Sequence, residues 1–449
     1  MRHPFSPRAP FSARPVPILC FLAALSIGCQ FDKGGVTASD AGGTADAPPT
    51  IDGPPGVADA MPGTPDGPPG TPDAMLPDAM DPFCGWGYDP VHFDPCNDPP
   101  EPLNPLVLDM PGVYEYDTGN GGVLTDPNGD PVMHDNSRPN NLRLVWASSV
   151  TIASGTTLRV FGNRPMVLAS KSNLDVQGNI DASSYWDNGE GDFSIGADAE
   201  PEPSACNTAG NGETCEHGGA GGGGGGFGGN GGNGGEGSNN RDCAGGQNVS
   251  SVGGLGGDML AAPNTNLHGG CFGGDGGDRD SETFGVGGPG GGAFHLTAGE
   301  MLTIAGRVHA NGAGGRGSSG DRAAGGGGGS GGMIGLEAST LTLQSTAVLS
   351  ANGGGGGGGA GGGGGDSGSP GQDAPDTGVQ ATGGLGDPGD GGDGGDGGWD
   401  SQHNGMPGIN APDRGGGGGG GSAGYIILYN NVTPNGTAMA VSPAPIPAP

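Results

Sequence analysis

Glycine spaced in threes constrains this chain more than any other feature. Glycine fills 109 of 449 positions, and within the glycine tracts the other residues recur at every third place. Phe227, Asn230, Asn233 and Glu236 do so, as do Val252, Leu255 and Asp258, and Phe272, Asp275 and Asp278. The same holds for Ala313, Arg316, Ser319 and Arg322, and for Asp387, Asp390, Asp393, Asp396 and Trp399. A helix repeats every 3.6 residues and a strand every two, so a period of three predicts an extended threefold helix. Its third residues share one outward direction, and glycine occupies the other two.

Between the tracts one phrase returns. It runs from Met166 through Leu174 to Ala182, again from Phe294 through Leu302 to Ala310, and again from Ile334 through Leu341 to Ala351. Each copy contains three short runs of two-residue alternation, which predicts three strands and small-residue corners. Val150 to Val160 reads as a preceding copy and Tyr425 to Val432 as a closing one. The expected fold is all-β: a short right-handed parallel β-helix of four to five coils, with long glycine arms leaving from one corner. Stacked coils would bring those arms side by side.

Tracts of this period resemble the polyglycine-II bundles of springtail antifreeze proteins and of some phage tail-tip adhesins. That resemblance implies close-packed arms, hydrogen-bonded to their neighbours, with the third residue facing outward. The competing reading is a set of flexible linkers, because glycine loses the most backbone entropy on ordering. Gly353 to Gly365 invites that reading most.

The start of the chain reads as an export signal. Arg2, Arg8 and Arg14 precede a short apolar run, Ile18 to Ile27, well below the roughly twenty residues that span a bilayer. Leu25-Ser26-Ile27-Gly28-Cys29 resembles the lipobox of bacterial lipoproteins, departing from it at Ser26, where leucine is commonest. The resemblance implies removal of 1–28, lipidation of Cys29 and, with Gln30 following, an outer-membrane destination. An ordinary cleaved secretory signal is the alternative. Residues 29–82 are Pro-, Ala- and Asp-rich, with Asp-Gly-Pro-Pro-Gly at Asp52 and again at Asp66. Such a segment is expected to be a disordered spacer, and it resembles the linkers of myxobacterial surface lipoproteins.

Six further cysteines, Cys84, Cys96, Cys206, Cys215, Cys243 and Cys271, form an even set, as disulfides in an exported protein require. Neighbouring spacing favours Cys84–Cys96, Cys206–Cys215 and Cys243–Cys271. The expected organisation is therefore signal peptide 1–28, linker 29–82 and a small disulfide module 83–140. A β-helix follows over 141–434, with arms at 184–291, 312–331 and 352–423, and then a disordered tail, 435–449.

Formal net charge is −33, from 48 acidic against 15 basic residues, which disfavours nucleic acid as a partner. Asp390, Asp393 and Asp396 invite a calcium reading, and Gly391 to Asp396 matches half of a repeat-in-toxin motif. Gly398 stands where that motif needs an apolar residue. Successive outward positions lie about 9 Å apart, too far to share one ion, so the row reads as a solvated acidic edge. Phe227, Phe272 and Trp399 are candidate ligand contacts on arm edges. Asp175, Asp181, His295, Glu337 and His309 are scattered singly over the cassettes, with Asp181 and His309 at matching corners.

No catalytic constellation and no cofactor motif is evident. The expected function is a lipid-anchored surface protein, structural or adhesive, attached to the membrane through Cys29 and meeting surface glycans or other cells. A β-helix polysaccharide lyase or hydrolase is the alternative.

Overall fold

The computed structural model describes residues 84–96, 104–119, 121–137, 141–186, 193–199, 206–207, 209–237, 241–243, 246–249, 251–261, 266–279, 283–362 and 367–448. The leader, Cys29 and the 29–82 spacer lie outside them. The described chain is all-β, without an α-helix, and its sheets are mostly parallel.

Three rows of parallel strands carry the apolar core. The first row pairs Arg143–Ala147, Met166–Ser170, Ala293–Ile304, Met333–Leu343 and Tyr425–Leu428 in turn. The far halves of the two long strands extend a second row, which begins with Leu106–Leu108, Val150–Ile152 and Asn173–Val176. The third row runs Gly112–Asp117, Thr156–Phe161, Asn179–Asp181, Arg307–His309, Val348–Ser350 and Ala440–Ser442. Because the repeats are in register, like residues stack. Leu168, Leu296 and Leu336 form one buried column, Leu174, Leu302 and Leu341 a second, and Ile180, Val308 and Leu349 a third.

The strand rows overrun the boundaries expected from sequence. Leu106–Leu108 and Gly112–Asp117 pair with the next repeat, so the sheets start inside the 83–140 module. At the other end Ala440–Ser442 and Ile446–Pro447 pair with Val348–Ser350 and Tyr425–Leu428. The segment expected to be a disordered tail thus adds the last rungs, because the sheet edge below it offers unpaired backbone groups.

The glycine tracts continue from these strands as a hydrogen-bonded array. Residues 218–227 show its rule. Gly221 N donates to Gly235 O, Gly222 N to Gly325 O and Gly223 N to Gly210 O, three successive bonds to three different segments. The same segment accepts from Gly254, Gly274 and Gly419, so six neighbours surround it. Segments 323–332, 351–361 and 414–424 are enclosed in the same way. A Cβ added to Gly222, Gly223 or Gly224 would overlap Gly274 O, Leu255 O or Gly420 O respectively, each on a different neighbour. Three successive positions each meet the backbone of a different neighbour there, which is why these four segments are nearly pure glycine. Of Gly353 to Gly365, the stretch most like a flexible linker in composition, Gly353 to Gly361 belongs to one of them, and Gly363 to Gly365 lie outside the described residues.

The rim segments keep one open direction, and the period-three residues occupy it. The 313–322 row departs from that pattern. Ala313 is fully buried, the Arg316 guanidinium lies 3.5 Å from the Trp186 ring centroid, and Arg322 adopts a positive φ of 63°.

Candidate functional site

A rim segment has N–H groups that find no carbonyl on the solvent side, and the outward Asp and Asn side chains satisfy them. Asp393 Oδ1 accepts from Gly386 N at 2.7 Å and Asp396 Oδ1 from Gly383 N at 2.8 Å. Asn230 and Asn233 do the same for Met259 N and Gly256 N, and Asp275 for Gly287 N. These side chains are short enough to fold onto the adjoining segment, and an Oδ1 is all the geometry needs. Asp390 instead faces Arg414 Nη2 at 3.2 Å. The three aspartates considered for calcium therefore have separate partners, and no group of three His, Cys, Asp or Glu among the described residues is placed to hold a metal ion.

The aromatic candidates divide. Phe227 is only 1% exposed and packs edge-on against Tyr425, 5.3 Å between centroids, where the array meets the strands. It is a junction residue rather than a contact tip, because its ring packs on Tyr425 of a strand in the first row. Phe272 and Trp399 are half-buried, the latter in a tight turn with Gln402. Large apolar side chains that do face solvent on the rim include Leu255 and Leu385, both 68% exposed, with Val252, Met259 and Ile409. Their place in the period of three was the available signal, and it marked Val252 and Leu255 as outward.

On the third strand row the register aligns Glu115, Arg159, Asp181, His309, Ser350 and Ser442. Arg159 Nη1 lies 3.2 Å from Asp181 Oδ2, and His309 Nδ1 lies 2.9 Å from Ser350 Oγ. Burial lowers the His309 pKa, against the pull of Asp181 and Asp376. His309 and Ser350 are both buried, so a substrate has no access to the pair in this conformation.

A second polar cluster sits on the first row. His295 leans over Gly335, where a Cβ would crowd it, and its Nε2 stands 3.5 Å from Glu337 Oε2. The loop closed by Cys84–Cys96 covers this pair. Tyr88 Oη meets Thr297 Oγ1 at 2.8 Å, and the His92 ring lies 4.8 Å from that of His295. Burial pushes Glu337 up to about 8 and His92 down to about 4, and holds His295 well below the usual histidine range. Asp175 lies apart from both clusters, on the outer face of the second row.

Cys84–Cys96 forms as expected, but the other two bridges are Cys206–Cys271 and Cys215–Cys243. The expected neighbouring pairs are replaced by a nested set because the longest arm folds back on itself, bringing its two ends together. Loops of this size reduce unfolded-state freedom by roughly 4 kcal/mol each in the chain-entropy model. Disulfides fit an oxidising, exported environment. Among the described residues no helix is long and apolar enough to cross a membrane. No family model matches the chain, and no curated protein or solved structure is detectably similar to it.

Proposed function

We propose that this chain is an exported, lipid-anchored cell-surface protein, structural or adhesive in role. In this reading its strand rows are the coils of a short right-handed parallel β-helix, and its glycine array is a polyglycine-II bundle. The 29–82 segment serves as a spacer from a membrane to which Cys29 is anchored, and the rim of the bundle is the displayed surface.

The observation that carries the reading is the enclosure of segment 218–227 by six hydrogen-bonded neighbours. An array built this way orders long stretches of chain with almost no apolar core, and it presents rim side chains such as Leu255 and Leu385 on a fixed backbone. Rigid presentation lowers the entropy lost when a partner is bound. A hydrolytic role would need Asp181, His309 and Ser350 to meet substrate, and the last two are buried. Display is the reading we adopt.

The test is made on intact cells of the native host. Protease added from outside should degrade the protein, and labelled palmitate should enter it and be lost in Cys29→Ser. Protection from protease in intact cells, or unlabelled wild-type protein, would overturn the anchored-display reading.

A further inference from the structure

The outer face of the second strand row carries a groove of about 830 Å³. Its floor is a column of Thr151, Asp175 and Thr303, side by side on three adjacent strands. One wall includes Met301, exposed at its edge. The other is formed by Gln177 and Gln344, which occupy matching places two rungs apart. Ala305 stands between them, and its small side chain leaves a notch.

We infer that this groove binds a neutral polysaccharide chain lying across the strands. The lining supplies hydroxyl, amide and carboxylate groups, which together offer donors and acceptors suited to a polyhydroxyl ligand. Gln177 Nε2 donates to Asp175 Oδ2 at 2.6 Å, which holds the carboxylate in place as an acceptor for sugar hydroxyls. Floor residues recur at the strand spacing of about 4.8 Å, close to the length of one pyranose unit, so successive sugars meet a hydroxyl, a carboxylate and a hydroxyl in turn.

Other ligand classes fit poorly. Asp175 is the charged residue in the lining and the chain carries a formal charge of −33, which repels nucleic acid and anionic glycans. Asn173–Val176 is paired on both sides, so its backbone gives an extended peptide no edge to join. A lining this polar does not suit an acyl chain.

This inference deepens the adhesive side of the reading above by naming a ligand class, and it places the contact on the sheet instead of the rim. Its test uses purified protein in native gels, and so is independent of surface location. The gels contain dextran, yeast mannan, arabinoxylan or a mixed-linkage glucan, with alginate and polygalacturonate as anionic comparisons. At least one neutral polymer should retard wild type, and neither anionic one should. Asp175→Ala and Ala305→Gln should weaken retardation at least tenfold while leaving thermal melting unchanged, and Leu255→Ala on the rim should migrate as wild type. No retardation by any neutral polymer would overturn the proposal. So would equal retardation by alginate, or retardation preserved in both groove variants.

Discussion

Glu337 Oε2 lies 3.5 Å from His295 Nε2, and neither side chain reaches solvent. This pair sits beneath the Cys84–Cys96 loop, whose own His92 packs on His295, so the protonation of all three is linked to how firmly that loop docks. His92, held at about 4, and His295, lower than its usual value, are stable as neutral rings. The contribution of His92 is present above pH 6.5 and lost as pH falls toward 4, and that of His295 has the same sign. Glu337, raised to about 8, has the opposite sign: its contribution is complete below about pH 4.5 and declines as pH rises through 8. Docking should therefore be firmest at intermediate pH. Glu337→Gln should remove the alkaline decline, worth up to a few kcal/mol, and keep the acid one. Hydrogen exchange of the 84–96 amides across pH, corrected for intrinsic rates, would measure it. An unchanged alkaline decline in the variant would show that Glu337 is not its source.

Interior and rim positions should respond oppositely to added bulk. Gly223→Val places a branched side chain against Leu255 O, in a direction already filled, and should destabilise the array by about 3 kcal/mol or more. Leu255→Ala, on the open side of an adjoining segment, should change stability by less than about 0.5 kcal/mol. Thermal melting of the two variants compares them directly; equal melting temperatures would contradict six-fold enclosure.

The rim aspartates act as hydrogen-bond acceptors, so charge should matter less than shape. Asp393→Asn keeps an Oδ1 toward Gly386 N and should be nearly neutral. Asp393→Ala leaves that N–H without its acceptor and should lose roughly 1–2 kcal/mol. Chelation with EDTA should leave the melting temperature of wild type unchanged. A drop on chelation, or equal losses in both variants, would point to a role for the charge itself.

Arg316 offers a test of how the array meets the strand region. Its guanidinium stacks on Trp186 and also approaches Phe193, 5.6 Å away. Arg316→Val should cost roughly 0.5–2 kcal/mol and shift the tryptophan emission. A silent substitution would place Arg316 with the freely solvated rim residues.

Peptide mapping of unreduced protein should recover Cys206 joined to Cys271 and Cys215 joined to Cys243. Replacing Cys206 and Cys271 together with serine should lower stability by roughly 4 kcal/mol, the larger effect belonging to the longer loop. Recovery of Cys206 with Cys215 would contradict the folded-back arm.

The period of three, the strand alternation within each repeat and the matching of Leu174, Leu302 and Leu341 were legible in the sequence by itself. Each is a local pattern, set by how many residues one turn of backbone takes, and repetition places like residues together without further information. What the sequence could not decide is which segments lie inside. Gly415 to Gly421 is pure glycine because neighbours distant in the chain fill all three of its directions, and composition alone does not separate that condition from a flexible linker. The nested disulfides, the use of Asp393 as an acceptor for Gly386 and the meeting of His295 with Glu337 share the same origin. Each depends on segments far apart in sequence arriving side by side, and only the folded packing of the array and the strand rows determines which ones meet.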